Sequence, residues 1–405
     1  MSELSRKVAV VGIGQLPFKT RYPTHNFQEL AFEVTALALK DAGIGVGDVD
    51  SAVYAIYSDM LLRQQTPETL IHEYLGLTGK PALRVTAGAS TGTYALRTAF
   101  AEIAAGMVDV VLLVGTQKSG DLVNPETMHR GEGTMMSESI THDVNWQHPY
   151  TPFPPSAWGL IVTAHMSRWG TPSETQIAQV AVKNHRNAFL NPNAQLRLDV
   201  SVDEVLNSRL IAWPTTMYEA CLFSEGACAI ILASAEAADR IGKPPIWVSG
   251  VGTSHEASTP YIDEERLGRI PAIEKSARAA YEMAGIQSPR HDFDVIELHD
   301  LFAALEILTY EELGLCSPGE GGQLVDEGAT EMAGDIPVNP SGGRLACGHI
   351  AGPSEVYSIA EVALQLREEA GERQVPIDRG RGLVSTVGGQ CASLGAAVVL
   401  ERGDA

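Results

Sequence analysis

Positive charge is scarce in this chain of 405 residues. Its 29 Lys and Arg stand against 50 Asp and Glu, a formal net charge of −21. Nucleic acid and anionic membrane surfaces both require clustered positive charge, so neither is an expected partner. The same deficit removes long-range steering of an anionic substrate. A phosphate-bearing ligand then has to be held by local charges or backbone N–H groups. Cysteine is also sparse: Cys221, Cys228, Cys316, Cys347 and Cys391 are scattered, odd in number and without C-x-x-C spacing. That pattern indicates neither a disulfide framework nor a zinc site, and no metal is expected. Reduced thiols in a cytoplasmic protein are the simplest reading. No apolar run approaches a membrane span; the longest lie around 110–114 and 227–233. Near the N-terminus, Arg6 and Lys7 precede the apolar stretch 8–11, which Gly12 and Gly14 interrupt. It reads as a first strand and not as a signal segment. Low-complexity sequence is missing as well.

The chain is long enough for a large core, and at about 150 residues per domain it should hold two to three domains. Short Val/Ile-rich runs alternate with longer Ala-rich helical stretches, which is the α/β pattern. The pattern occurs twice. Val-Ala-Val-Val-Gly-Ile-Gly at 8–14 resembles Ile-Trp-Val-Ser-Gly-Val-Gly at 246–252. Each is followed by a helix closed by a C-cap glycine, Gly43 or Gly285, then by an Asp-rich turn containing Asp50 or Asp294 and a buried strand. The closing strands, 226–232 and 395–400, match too. The first copy is longer by an insertion rich in His, Pro, Trp and Met. It contains a helical stretch over 173–188 and is a natural cap over a site. The expected domains are 1–116 plus 221–240, an inserted segment 117–220, and 245–405. A site should lie where matching loops of the two copies meet, at helix N-termini following strands.

Four loops could carry chemistry. In the first, small residues including Ala89, Ser90, Thr91 and Gly92 precede a helix with Tyr94, Ala95, Leu96, Ala99, Phe100 and Ile103 on its apolar positions. Such a loop is either a plain packing turn or an elbow that aims one side chain and several N–H groups at a pocket. The second carries His299, Asp300, Leu301 and Phe302 directly after a strand. A His-Asp pair there supplies a base and a charge, or is simply structural. The third runs from Asn339-Pro340-Ser341-Gly342-Gly343 through Cys347-Gly348-His349 to a helix ending at Leu366. Glycines enclose His349 just before a helix N-terminus, where the dipole favours the neutral imidazole. In the fourth, a strand ends in Gly388 and Gly389, where backbone N–H groups can approach a ligand.

These loops, in this order on a duplicated α/β unit, resemble the thiolase superfamily over essentially the whole chain. The likeness is to the sterol-carrier-protein-X-type thiolases and the lipid-transfer proteins around them. His299-Asp300-Leu301-Phe302 is similar to that branch's His-Asp-x-Phe motif, and Asn339-x-x-Gly342-Gly343 with Gly348-His349 to its Asn-x-x-Gly-Gly…Gly-His motif. The resemblance implies two βαβαββ-type halves in a five-layered αβαβα fold with an inserted loop domain covering coenzyme A. It implies that His349 is the base and helps hold a thioester oxygen. By the same likeness His299 belongs to an oxyanion site for a CoA-ester enolate, and the N–H groups of Ala89 and Gly389 form a second one. Phe302, Asp300, Ser90, Gly388 and Cys347 belong to the pocket. Coenzyme A is then substrate or acyl carrier, with no permanently bound cofactor. A homo-oligomer is expected, and a small zinc-ribbon/OB-fold partner is a fold-level analogy.

One departure governs the functional reading. The family elbow carries the acylated cysteine where this chain has Ala89. Alanine cannot be acylated. Ser90 lies about 100° further round a helix and points elsewhere. Cys347 and Cys391 come from neighbouring loops, and a buried small hydrophobe is the simpler role for each. Three readings remain. The first is a non-covalent lyase cleaving a β-hydroxyacyl-CoA by retro-aldol chemistry; the steroid side-chain aldolases of this branch carry Tyr at the place of His349. The second is a β-ketoacyl-CoA thiolase or acyltransferase whose cysteine is replaced at position 89. The third is a non-catalytic CoA-ester-binding or scaffold subunit. Trp146, Tyr150, Phe153 and Trp158 in the insertion would suit an aromatic or steroid-like acyl group, or serve as the insertion's own core.

Overall fold

Short apolar strand runs set the architecture of the computed structural model, which describes residues 6–122, 128, 134, 137–138, 140–141, 143–146, 154–258 and 266–403. The chain begins with β1 (Val8–Gln15), α1 (Phe27–Ala42), β2 (Ser51–Ala55), β3 (Ala82–Val85), α2 (Thr91–Ala104) and β4 (Val110–Gln117). Helices α3 (Pro154–Trp169) and α4 (Glu174–Phe189) and the hairpin strands β5 (Leu210–Ala212) and β6 (Thr215–Thr216) precede β7 (Gly226–Ser234). The pattern then recurs as β8 (Ile246–His255), α5 (Pro271–Ala284), β9 (Val295–Leu298), α6 (Ala303–Glu312), α7 (Ser354–Leu366), β10 (Arg381–Gly388) and β11 (Leu394–Arg402).

The strands order as β3-β2-β4-β7-β1 and then β8-β11-β10-β9. Strand β2 is parallel to β3 and β4, and β7 is antiparallel to β4 and β1. The second set repeats this: β9 is parallel to β10, and β11 is antiparallel to β10 and β8. Val338 bridges Ile296 in parallel, at the place where β3 stands beside β2. Strands β1 and β8 pair antiparallel at Ala9–Trp247 and Val10–Ile246, so both sets run on as one nine-stranded sheet.

Both faces of the strands are buried, which explains their near-continuous apolar runs. Val8 and Val10 of β1 pack in a central core with α2 and α7, while Ala9 and Val11 pack with α1. In the second set, Val398 and Leu400 face that same central core, and Ala397 and Val399 face α5 and α6. The layers are therefore α1, strands, α2 with α7, strands, α5 with α6. This is the five-layered α/β fold implied by the resemblance.

The repeated glycine pairs have a shared cause. A Cβ on Gly12 or Gly14 would overlap carbonyl oxygens of α1 at Ala38 and Val34. On Gly250 or Gly252 it would overlap those of α5 at Ala280 and Ser276. Each outer helix lies directly on strand backbone, and only glycine leaves the room. The C-caps are equivalent too: Gly43 and Gly285 are both left-handed, at φ 72° and 71°. Asp50 accepts from the amides of Asp109 and Val110 at the start of β4. Asp294 accepts from Arg379, Gly380 and Arg381 at the start of β10. The helix expected over 173–188 is α4, opened by a Ser173 capping box with Gln176.

Gly14→Ala should lower unfolding free energy by about 1–3 kcal/mol, the usual cost of forcing added volume into a packed site. Gly47→Ala, with nothing within 4 Å of the added carbon, should change it little. Paired urea titrations check the difference.

Candidate active site

The loop between β3 and α2 is a tight elbow. Gly88 turns it with φ +55°, and a Cβ there would sit 2.6 Å from Gly389 N. A Cβ on Gly388 would likewise sit 2.6 Å from Ala89 N. Absent side chains let the elbow and the end of β10 press together. Ala89, Gly388 and Gly389 consequently line one cavity of about 330 Å³, with His349, Leu301, Tyr57, Glu138, Trp158 and Cys391. Thr91 Oγ1 accepts from Ala87 N at 2.8 Å and donates to Gly88 O at 2.6 Å. Ser90 is fully buried and donates to Leu394 O at 3.1 Å. Its hydroxyl holds the elbow and is turned away from the cavity.

The third loop is shaped by buried polar groups. Asn339, at φ +53°, accepts from Leu298 N at 2.7 Å and donates to Glu306 Oε2 at 2.6 Å. Ser341 binds Glu297 through its amide and its hydroxyl. Residues Gly343–Cys347 form a single π-helical turn, a form frequent at functional sites. Helix α4 grips this loop with its polar face. Asn187 of this helix and Asn191, just past its end, donate to Asn339 O and Ser341 O, and Asn184 bridges Asp300 and Glu306. Lys183 pairs with buried Glu306 at 2.6 Å. The insertion therefore contributes a buttress as well as whatever cap it forms. His148, Tyr150 and Phe153 of the expected cap lie outside the described residues.

His349 is pinned through its backbone. Its amide donates to Leu222 O at 3.1 Å, and its carbonyl accepts from Ser224 N at 2.8 Å. Its ring meets that of His299 edge-on, centroids 5.3 Å apart. His299 Nδ1 lies 3.1 Å from Glu355 Oε1, in the first turn of α7. Among the described residues, His299 Nε2, His349 Nδ1 and Glu355 Oε1 are all buried without a hydrogen-bond partner. Three orphaned polar atoms in one place are costly unless a ligand satisfies them.

Burial pushes His299 down to about 3, with the Arg344 guanidinium adding to it. His349 is held well below the ordinary imidazole value by burial, then by His299 and Arg344. The direction is the one expected for a neutral imidazole, with burial as its leading cause in place of the helix dipole. Burial also raises Glu355 well above the usual carboxylate range. The pair is thus a neutral acid beside a neutral base. Arg344 stays charged: it donates to Ser354 O at 3.0 Å and stacks 5.4 Å from the Phe18 ring centroid.

Of the residues expected at the site, Ala89, Gly388, Gly389 and His349 line the cavity and His299 adjoins His349. Four others are placed differently. Ser90 faces Leu394 O. Phe302 packs in the core with α6. Asp300 is a clamp, accepting from Arg344 N at 2.5 Å and from Asn184. Cys347 is buried against Asn191, its thiol pushed up to about 12. It is Cys391, at φ +50°, that reaches the cavity. Trp158 also lines the cavity, whereas Trp146 is 78% exposed and belongs to no core. Arg344 and Glu355 lie in the third loop but were assigned no role, and Tyr57 and Glu138 carried no motif signal. A carboxylate two residues after Gly-Pro at a helix start was the nearest hint for Glu355.

Comparison with known proteins places the chain in a family. The family model for the thiolase N-terminal domain matches residues 8–204, and that described as thiolase C-terminal domain-like matches 217–402. An acetyl-CoA acetyltransferase of Methanothermobacter thermautotrophicus is 35% identical over 373 residues, covering 91% of this chain and 93% of its own. Sterol carrier protein 2 of Oryctolagus cuniculus is 34% identical, covering 93% and 70%. Benzoylsuccinyl-CoA thiolase subunit BbsB of Thauera aromatica is 30% identical, covering 96% of each. Solved structures of the same fold include an Ltp2-ChsH2(DUF35) aldolase, at TM-score 0.82 and 23% identity over 99% of both chains. Another is SCP2-thiolase like protein type 1 from Mycobacterium smegmatis, at TM-score 0.74 and 21% identity, covering 100% of this chain and 79% of that one.

The ring nitrogens of His299 and His349 should keep neutral-imidazole ¹⁵N shifts from pH 8 to about pH 5, although an unperturbed imidazole titrates near 6.5. Because both folded values are depressed, each histidine contributes stability in full above about pH 6.5 and loses it as pH falls below that. Protonation of either ring near pH 6.5 would refute the assignment.

Proposed function

On the premise that the chain belongs to the thiolase superfamily, we propose that it cleaves a carbon–carbon bond beside a coenzyme A thioester without forming an acyl-enzyme. The reaction is a retro-aldol cleavage of a β-hydroxyacyl-CoA, giving a shorter acyl-CoA and an aldehyde or ketone. One observation carries the reading: the elbow presents Ala89 to the cavity, and Ser90 is locked to Leu394 O. The elbow side chain offers nothing to acylate.

Retro-aldol cleavage needs stabilisation of the thioester enolate, whose negative charge collects on the thioester oxygen. Neutral imidazoles suit this task, since they can donate an N–H without first losing a charge. In a buried site such a donor counts for more than in water. His299 Nε2 has no partner among the described residues, and an N–H on that atom would find one in the thioester oxygen. His349 would share the oxygen, and the amides of Ala89 and Gly389 would offer a second oxyanion site. Coenzyme A enters as the acyl carrier. Assembly with a second subunit belongs to the proposal: the Thauera relative is itself named a subunit.

The second reading, a thiolase whose cysteine is replaced at position 89, has support in the intact elbow, with Thr91 still closing it. A scaffold that only binds CoA esters gains nothing from three orphaned polar atoms. Burying each without a partner costs about 1–3 kcal/mol.

Incubation with a panel of β-hydroxyacyl-CoA thioesters should release acyl-CoA and a carbonyl product, with the intact protein mass unchanged. His349→Ala should slow cleavage by about 10²–10³-fold, the usual cost of losing an oxyanion donor. Ala89→Cys is the discriminating variant. Thiolysis of a β-ketoacyl-CoA together with an acyl adduct in that variant, and no cleavage by the unaltered protein, would favour the second reading.

A further inference from the structure

The retro-aldol reading leaves one role empty, since something must accept the β-hydroxyl proton. Neither histidine fits well, because both are assigned to the thioester oxygen. Among the described residues, the cavity holds one carboxyl group that no motif assigned. Glu138 lines it from the inserted segment, alongside Ala89, His349 and Trp158. Its Oε1 is buried and has no hydrogen-bond partner among the described residues. Tyr57, from the end of β2, lines the same cavity and hydrogen-bonds the carboxyl. With the hydroxyl donating, one oxygen is fixed and the orphaned Oε1 is left for a ligand.

We infer that Glu138, held by Tyr57, accepts the β-hydroxyl proton of the substrate. The inference rests on the retro-aldol reading. Atoms and electrons balance without a co-reactant. Glu138 takes the hydroxyl proton as the oxygen's electron pair forms the carbonyl. The Cα–Cβ bond breaks, and its pair becomes the thioester enolate. The proton is then returned to Cα, giving the acyl-CoA.

The charge state of Glu138 suits a base near neutrality. Burial raises its carboxyl to about 7, and the Tyr57 hydrogen bond opposes the rise. The other titratable groups facing it do not compete. Tyr57 is raised well above its ordinary value by burial and by Glu138. Cys221, before β7, is pushed up to about 12 by burial, with Asp300 and Glu138 adding to it. His349 is held neutral. Cys391 shares the cavity from beyond β10.

The test compares the unaltered protein with Glu138→Gln and Tyr57→Phe. The substrate is whichever β-hydroxyacyl-CoA of the panel is cleaved fastest. The readouts are cleavage rate, the pH profile of kcat/KM, and calorimetric binding of the product acyl-CoA. Glu138→Gln should lower kcat by about 10²–10⁴-fold, the usual contribution of a general base, while product binding is kept. The acid limb near pH 7 should vanish in Glu138→Gln and move to higher pH in Tyr57→Phe, which loses the bond that lowers the carboxyl. Tyr57→Phe keeps the carboxylate, so its limb shift stands as a test even if Glu138→Gln does not fold. Full cleavage by Glu138→Gln overturns the inference alone. Loss of product binding together with cleavage also overturns it, by assigning Glu138 to holding the pocket. Should the unaltered protein cleave no member of the panel, the retro-aldol reading falls and takes the inference with it.

Discussion

Two imidazoles share one buried space with a guanidinium that cannot lose its charge, and this constraint governs the site. Burial and Arg344 both oppose a second proton, and with it a positive charge, on either His299 or His349. The nearby carboxyl groups do not relieve them. Glu355 is pushed toward the neutral acid, and Asp300 and Glu297 are raised as well. The result is a pocket wall of neutral donors with one fixed positive charge behind it. Such a wall is suited to an oxygen that becomes negative only during reaction.

The rest of the fold holds that wall in place. Glycine pairs in β1 and β8 let the outer helices lie on the sheet, and Gly92 lets the two central helices meet. A Cβ on Gly92 would sit 2.8 Å from the Glu355 side chain. The start of α2 therefore touches the start of α7, and the elbow reaches the histidines. Helix α4 then locks the third loop with Lys183, Asn184 and Asn187, joined by Asn191 just past its end. These groups are buried and paired, so removing any one would leave a partner unsatisfied in a low-dielectric core. The insertion thus acts on the chemistry through the loop it grips.

Much of this was legible in the order of residues, and the reasons are local. C-cap glycines, the helix start at Ser173 and the short apolar strand runs are properties of short segments, so repeat and fold could be read directly. Ala89 could be read because an elbow is defined by its small residues, and His349 because glycines enclose it. What escaped depends on distant segments meeting. Glu138 and Tyr57 are 81 positions apart and share a cavity only because β2 and the insertion converge. The polar face of α4 looks like an ordinary solvated helix face until the third loop is packed on it. The same limit explains the residues placed wrongly. Asp300, Phe302 and Cys347 sit inside recognisable motifs, but their side chains serve clamp and core, and the cavity takes Leu301 and Cys391 from beside them.

The central claim is that a CoA thioester is held by its oxygen on the histidine pair with its acyl carbons beside Ala89. A crystal structure of the protein with an unreactive CoA thioester analogue tests it most directly. The account predicts the analogue's oxygen within about 3.1 Å of a ring nitrogen of His299 or His349, the distance an oxyanion donor requires. An analogue seated in the cavity with that oxygen turned to solvent, and both rings left unpartnered, would contradict it.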